Sequence, residues 1–134
     1  MKMKNDRVRK SVVIVVALSG VILNVFYCIG FFQAFFDHQY NFAIREFLVS
    51  AIVLEVGWMA LLLWTILKPF ERRHILLFTI IPIFFGNLLT GINQLMDAPA
   101  HLGSFVSNTA FGLLYSALFL FAYILGKPVR DSQQ

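Results

Sequence analysis

Four apolar runs, at residues 11–36, 47–67, 75–95 and 104–126, occupy most of this chain and leave only short charged or proline-bearing segments between them. A bilayer's hydrocarbon layer is about 30 Å thick and takes roughly 20 apolar residues per helical crossing at 1.5 Å per residue. Each run reaches that length. A lipid-exposed segment satisfies its own backbone polar groups only as a helix, so the pattern predicts an all-α fold: an integral membrane four-helix bundle, one four-span transmembrane domain over residues 1–134. Composition agrees, with 59% hydrophobic and 13% charged residues and a mean hydropathy of +0.77, far from the balance of a soluble domain.

Local signals mark the boundaries. Lys68-Pro69 closes the second run, because proline lacks an N–H and disfavours helix in the residue before it. Pro82 falls inside the third and is expected to kink it. The first run, 26 residues and so about 39 Å as a helix, has to tilt or protrude. It follows a basic segment, as a secretory signal does, but greatly exceeds the roughly 7–15 apolar residues of such a signal and has no small-residue cleavage site. It reads as a permanent helix. The single Cys28 inside it reads as a buried small hydrophobe.

Orientation follows from the basic residues. Lys2, Lys4, Arg7, Arg9 and Lys10 precede the first run, Lys68, Arg72 and Arg73 join the second to the third, and Lys127 and Arg130 follow the fourth. With four spans these segments share one side, and only Arg45 falls on the other. The positive-inside rule then makes both termini cytoplasmic, and the chain is expected to be a multi-pass protein of the plasma (inner) membrane. The net charge of +4 is explained by topology and anionic headgroups, so no nucleic-acid partner is implied.

With the ends fixed, depth can be counted. Glu55 lies 12 residues from the end of its run, Asn87 lies 12 from the start of its own and Asn24 lies 13, all about 18–20 Å up their helices. Tyr115, with Ser116 beside it, reaches nearly the same height. These five residues form the expected intramembrane polar core, and Gln33, Thr90, Gln94 and Asn108 form a polar vestibule above it. Gly20, Asn24 and Cys28, then Asn87, Thr90, Gly91 and Gln94, then Ser104, Asn108, Gly112 and Ser116 recur at three- and four-residue steps, one face per helix. Such stripes belong at helix–helix contacts in lipid, and amides and hydroxyls there commonly act only as glue. Glu55 is different, since a carboxylate at this depth carries a cost that glutamine would avoid. It is expected to hydrogen-bond Asn24 or Asn87.

Asp37, His38, Asp97 and His101, on the opposite side, have ligand-type side chains without diagnostic spacing, so no metal site and no cofactor are assigned. Catalytic signatures are missing as well: there is no Gly-x-Ser-x-Gly, phosphate loop or His-Glu-x-x-His, and no catalytic residue is assigned. Two functions fit. One is binding or transport of a proton or a small polar or cationic solute past Glu55, for which a homodimer would supply the pathway. The other is a non-catalytic accessory or scaffold subunit of a larger membrane complex. The topology itself is testable: reporters fused at the C-terminus and after Lys68 are expected to be cytoplasmic and one near Gln39 is not, and a cytoplasmic Gln39 reporter overturns the orientation.

Overall fold

A computed structural model describes residues 2–36, 42–97 and 102–127. They form four helices, α1 (Lys2–Phe36), α2 (Phe42–Leu67), α3 (His74–Asp97) and α4 (Leu102–Leu125). All four are long and apolar enough to cross a membrane, over Asp6–Phe36, Ile44–Leu67, His74–Ile92 and Leu102–Leu125. The all-α, four-helix reading of the sequence therefore holds.

Two helix starts differ from the sequence reading. α1 begins at Lys2 and α2 at Phe42, rather than at residues 11 and 47. Hydropathy marks what lipid would accept, but it does not stop a helix. In the early turns of α1, Asp6 pairs with Arg9 one turn on at 3.7 Å. At the start of α2 no proline or glycine intervenes, and the Ser50 hydroxyl donates to the Glu46 carbonyl at 3.1 Å. α3 runs unbroken through Pro82. Cys28 is half-buried rather than buried.

The helices are arranged as two closely packed pairs, α1 with α2 and α3 with α4, joined mainly where α1 meets α4. α2 and α3 touch only sparsely. The core lies at one end of this arrangement. Val13, Val16 and Ala17 of α1, Leu62 of α2, Leu76 of α3, and Phe119 and Ala122 of α4 are all buried together, near the start of α1 and α3 and the end of α2 and α4. The bundle is thus closed where the 68–73 connection lies and looser beyond it.

Close packing rests on missing side chains. A β-carbon on Gly112 of α4 would stand 3.0 Å from the Asn87 β-carbon of α3, and one on Gly20 of α1 would meet Phe119 at 2.8 Å and Leu62 at 2.9 Å. Small residues let helix backbones approach in this way, so that neighbouring atoms reach van der Waals contact.

Arginines hold the closed end. A helix leaves its last carbonyls without intrahelical partners and carries partial negative charge there. At the end of α4 the Arg9 Nε donates to the Leu125 carbonyl at 2.8 Å and its Nη2 donates to that of Lys127. Arg73, in the 68–73 connection, donates to the Gly126 carbonyl at 2.8 Å and lies over the Tyr123 ring. α2 ends similarly. Arg72 donates to the Trp64 carbonyl at 2.9 Å and stacks 3.9 Å above the Trp64 ring, while Lys68 and Glu71 pair at 3.0 Å.

A steric comparison tests this packing. Gly112→Leu has no room and is expected to cost about 1–3 kcal/mol, whereas Gly57→Leu, where a β-carbon meets nothing within 4 Å, should leave stability unchanged. Denaturation midpoints in detergent measure the difference.

Candidate functional site: a cleft between α2 and α3

Where α2 and α3 diverge, the bundle holds a cavity of about 540 Å³. Three helices line it. α1 supplies Gly20, Leu23, Asn24, Tyr27 and Phe31, which fall on one helical face. α2 supplies Leu54, Glu55 and Trp58, within a single turn, and α3 supplies residues from Phe78 to Thr90, among them Thr79, Pro82, Gly86 and Asn87. α4 contributes none. It stands behind the site, where Gly112 packs on Asn87 and Phe119 on Gly20.

The hydrogen bonds decide what this cleft offers. Asn24 donates its amide N–H to the Gly20 carbonyl at 2.7 Å, and Asn87 donates to that of Ile83 at 2.8 Å. Thr79 and Thr90 donate their hydroxyls to Ile75 and Gly86, at 2.7 and 2.8 Å. Each bond runs four residues back on the side chain's own helix, a local arrangement that requires no second helix to be held in place. Asn24 and Asn87 thus spend one of their two amide N–H groups on their own backbone, and Asn87 also hydrogen-bonds the Tyr27 side chain of α1. This also corrects the expected pairing of Glu55 with Asn24 or Asn87. The Glu55 carboxylate is half-buried, and among the described residues it receives no hydrogen bond and forms no ion pair. Its ionisable neighbours are Tyr27 and Cys28 of α1. Among the described residues no Lys, Arg or His lines the cavity. Pro82 leaves an acceptor here, because it has no N–H to offer the Phe78 carbonyl one turn back.

One donor runs the other way. The Trp58 Nε1 is buried without a partner and belongs to a residue that lines the cleft. Buried polar groups are usually paired, so an unpaired N–H beside an unpaired carboxylate marks the place where polar contacts remain to be made.

Of the polar core expected from the sequence, the structure brings Asn24, Glu55 and Asn87 to one cavity. Tyr115 and Ser116 lie elsewhere. Tyr115 packs between Phe111 and Phe119, with ring centroids 5.3 and 5.4 Å away, and the Ser116 hydroxyl is buried without a partner on α4. Of the expected vestibule, Thr90 lines the cavity, Gln33 is exposed on α1 and Asn108 is half-buried on α4 outside it. The Gln94 side chain lies outside the described residues, as do Asp37, His38, the Asp97 side chain and His101. Among the described residues no three His, Cys, Asp or Glu side chains come together. The sequence reading missed Tyr27 and Trp58. Both stood three residues beyond a named polar position, on the same helical face.

Compared with known protein families, curated proteins and solved structures, the chain matches none. The cleft's own chemistry has to carry the functional argument.

That chemistry makes a prediction about stability. Since the carboxylate of Glu55 and the N–H of Trp58 make no described hydrogen bond, Glu55→Gln, Glu55→Leu and Trp58→Phe should each unfold within about 1 kcal/mol of the parent chain, or above it. Thermal unfolding in detergent checks this. A larger loss would mean that these groups hold the fold together.

Proposed function

We propose that this chain is a multi-pass membrane protein with both termini cytoplasmic, whose α2–α3 cleft binds and moves a proton or a small polar or cationic solute at Glu55. The observation that carries the proposal is a carboxylate that, among the described residues, has no partner and shares its cavity with no cation. An intramembrane acid is expensive, and where such groups occur they mark ion, proton or substrate pathways. The cavity lies within the range of about 300–1,000 Å³ typical of small-molecule sites. The arginines that cap α2 and α4 support the orientation, since Arg9, Arg72 and Arg73 gather at the end that the basic residues assign to the cytoplasm.

Transport requires two access states, and pairing with a second copy is the simplest way for four helices to supply them. The accessory-subunit reading has its own support. Gly57 lies on an outer face of α2 where a β-carbon would meet nothing, a surface suited to another helix.

Reconstituted vesicles separate the two readings. Proton flux, followed with an entrapped pH indicator, and uptake of ammonium or guanidinium are expected to depend on pH in the parent chain. Glu55→Gln should abolish that dependence while circular dichroism shows the helices intact. Equal behaviour of the two proteins between about pH 5 and 9 replaces the transport reading with the scaffold one.

A further inference from the structure

Given the membrane-embedded binding role proposed for the cleft, we infer that its occupant is a lipophilic cation, a quaternary ammonium or protonated amine with an apolar body, reaching Glu55 sideways between α2 and α3. Three observations combine here: where the cleft is blocked, where it is open, and what its walls offer.

The axial route from the closed end is blocked. Leu62, Leu76 and Phe119 fill the bundle there at 0% exposure. The side is open. Leu54 of α2 is 69% exposed, and Phe78 and Ile81 of α3 are 60% and 57% exposed, although all three line the cavity. These large apolar side chains form a rim on the outer surface of helices that are long and apolar enough to cross a membrane. In a bilayer that rim meets acyl chains. A molecule already dissolved in the lipid passes it without crossing water.

The walls select the headgroup. Glu55 supplies the negative charge, and the amide oxygen of Asn24 is left free by its own N–H bond. The aromatic rings of Tyr27, Phe31, Trp58 and Phe78 line the same cavity. Aromatic faces around a carboxylate attract a cation by its charge and require no hydrogen bond from it, the arrangement by which quaternary ammonium groups are recognised. An anion would face the Glu55 carboxylate with only neutral N–H and O–H donors in its favour.

The cavity, about 540 Å³, has the size of a small-molecule site. It follows α1 from Gly20 to Phe31, about 16 Å along the axis.

The test uses the full chain carrying Trp64→Phe, which leaves Trp58 as its one tryptophan, in nanodiscs of lipid brominated at mid-chain. Brominated chains are expected to quench Trp58. Octyltrimethylammonium should relieve that quenching saturably, tetramethylammonium should need at least tenfold more, and octanol should have no saturable effect. Glu55→Gln should stay quenched and need at least tenfold more octyltrimethylammonium for relief. Equal potency of tetramethylammonium overturns the lipophilic occupant but leaves a polar cation site, and with it the proposed function. Relief that survives Glu55→Gln unchanged removes Glu55 from both. Absence of quenching means that a second copy or a partner covers the opening, which overturns the sideways route.

Discussion

The arrangement of this protein depends on how one helix ends. The last carbonyls of α4 are satisfied by Arg9 from α1 and Arg73 from the 68–73 connection, so that one set of backbone acceptors gathers three parts of the chain. Charge-assisted bonds to a helix C-terminus combine hydrogen bonding with the favourable field of the helix dipole. The same arginines count toward the charge asymmetry that orients a membrane chain. In the proposed topology one residue type thus serves both orientation and assembly, with the closed end as the fixed reference for everything beyond it.

From that end α4 acts as the strut of the bundle. It lies close against α3 at Gly112 and sends Phe119 against Gly20 of α1, but it leaves α2 and α3 to meet each other with little contact. A cleft opens where contact is poorest. Its polar character follows from the local bonding of Asn24, Asn87, Thr79 and Thr90, which fixes each side chain on its own helix. Had Asn87 of α3 paired with Glu55 of α2 across the gap, the bond would have drawn α2 and α3 together and reduced the space around the carboxylate.

Hydrophobic run length was enough to find four helices, and counting residues from the run ends placed Asn24, Glu55 and Asn87 at a common height. Height was the legible part. Direction around the axis was not, because α1, α3 and α4 carry similar small and polar stripes, and nothing in those stripes says which pairs with which. Tyr115 and Ser116 were drawn into the same core for that reason, whereas Tyr115 stacks on rings of its own helix and neither residue lines the cavity. The pairing is set by atomic fits such as Gly112 on Asn87, and residue type does not encode these. Trp58 was obscured in another way. An indole reads as packing until its N–H is seen to lack an acceptor. The early turns of α1 and α2 escaped notice because polar residues extend a helix as readily as apolar ones.

The short 68–73 connection has a mechanical consequence. α2 and α3 are tied at that end and only loosely in contact beyond it, so the two behave as arms on a common pivot. Glu55 and Asn87 sit about 18–20 Å along those arms. At that radius a change of about 5° in the angle between them moves one wall of the cleft by roughly 1.7 Å relative to the other, comparable to the diameter of a small alkali cation. Width at the polar level is thus geared to an angle set far away, and a shift too small to disturb the packing around Leu62 and Leu76 is enough to change what fits beside the carboxylate.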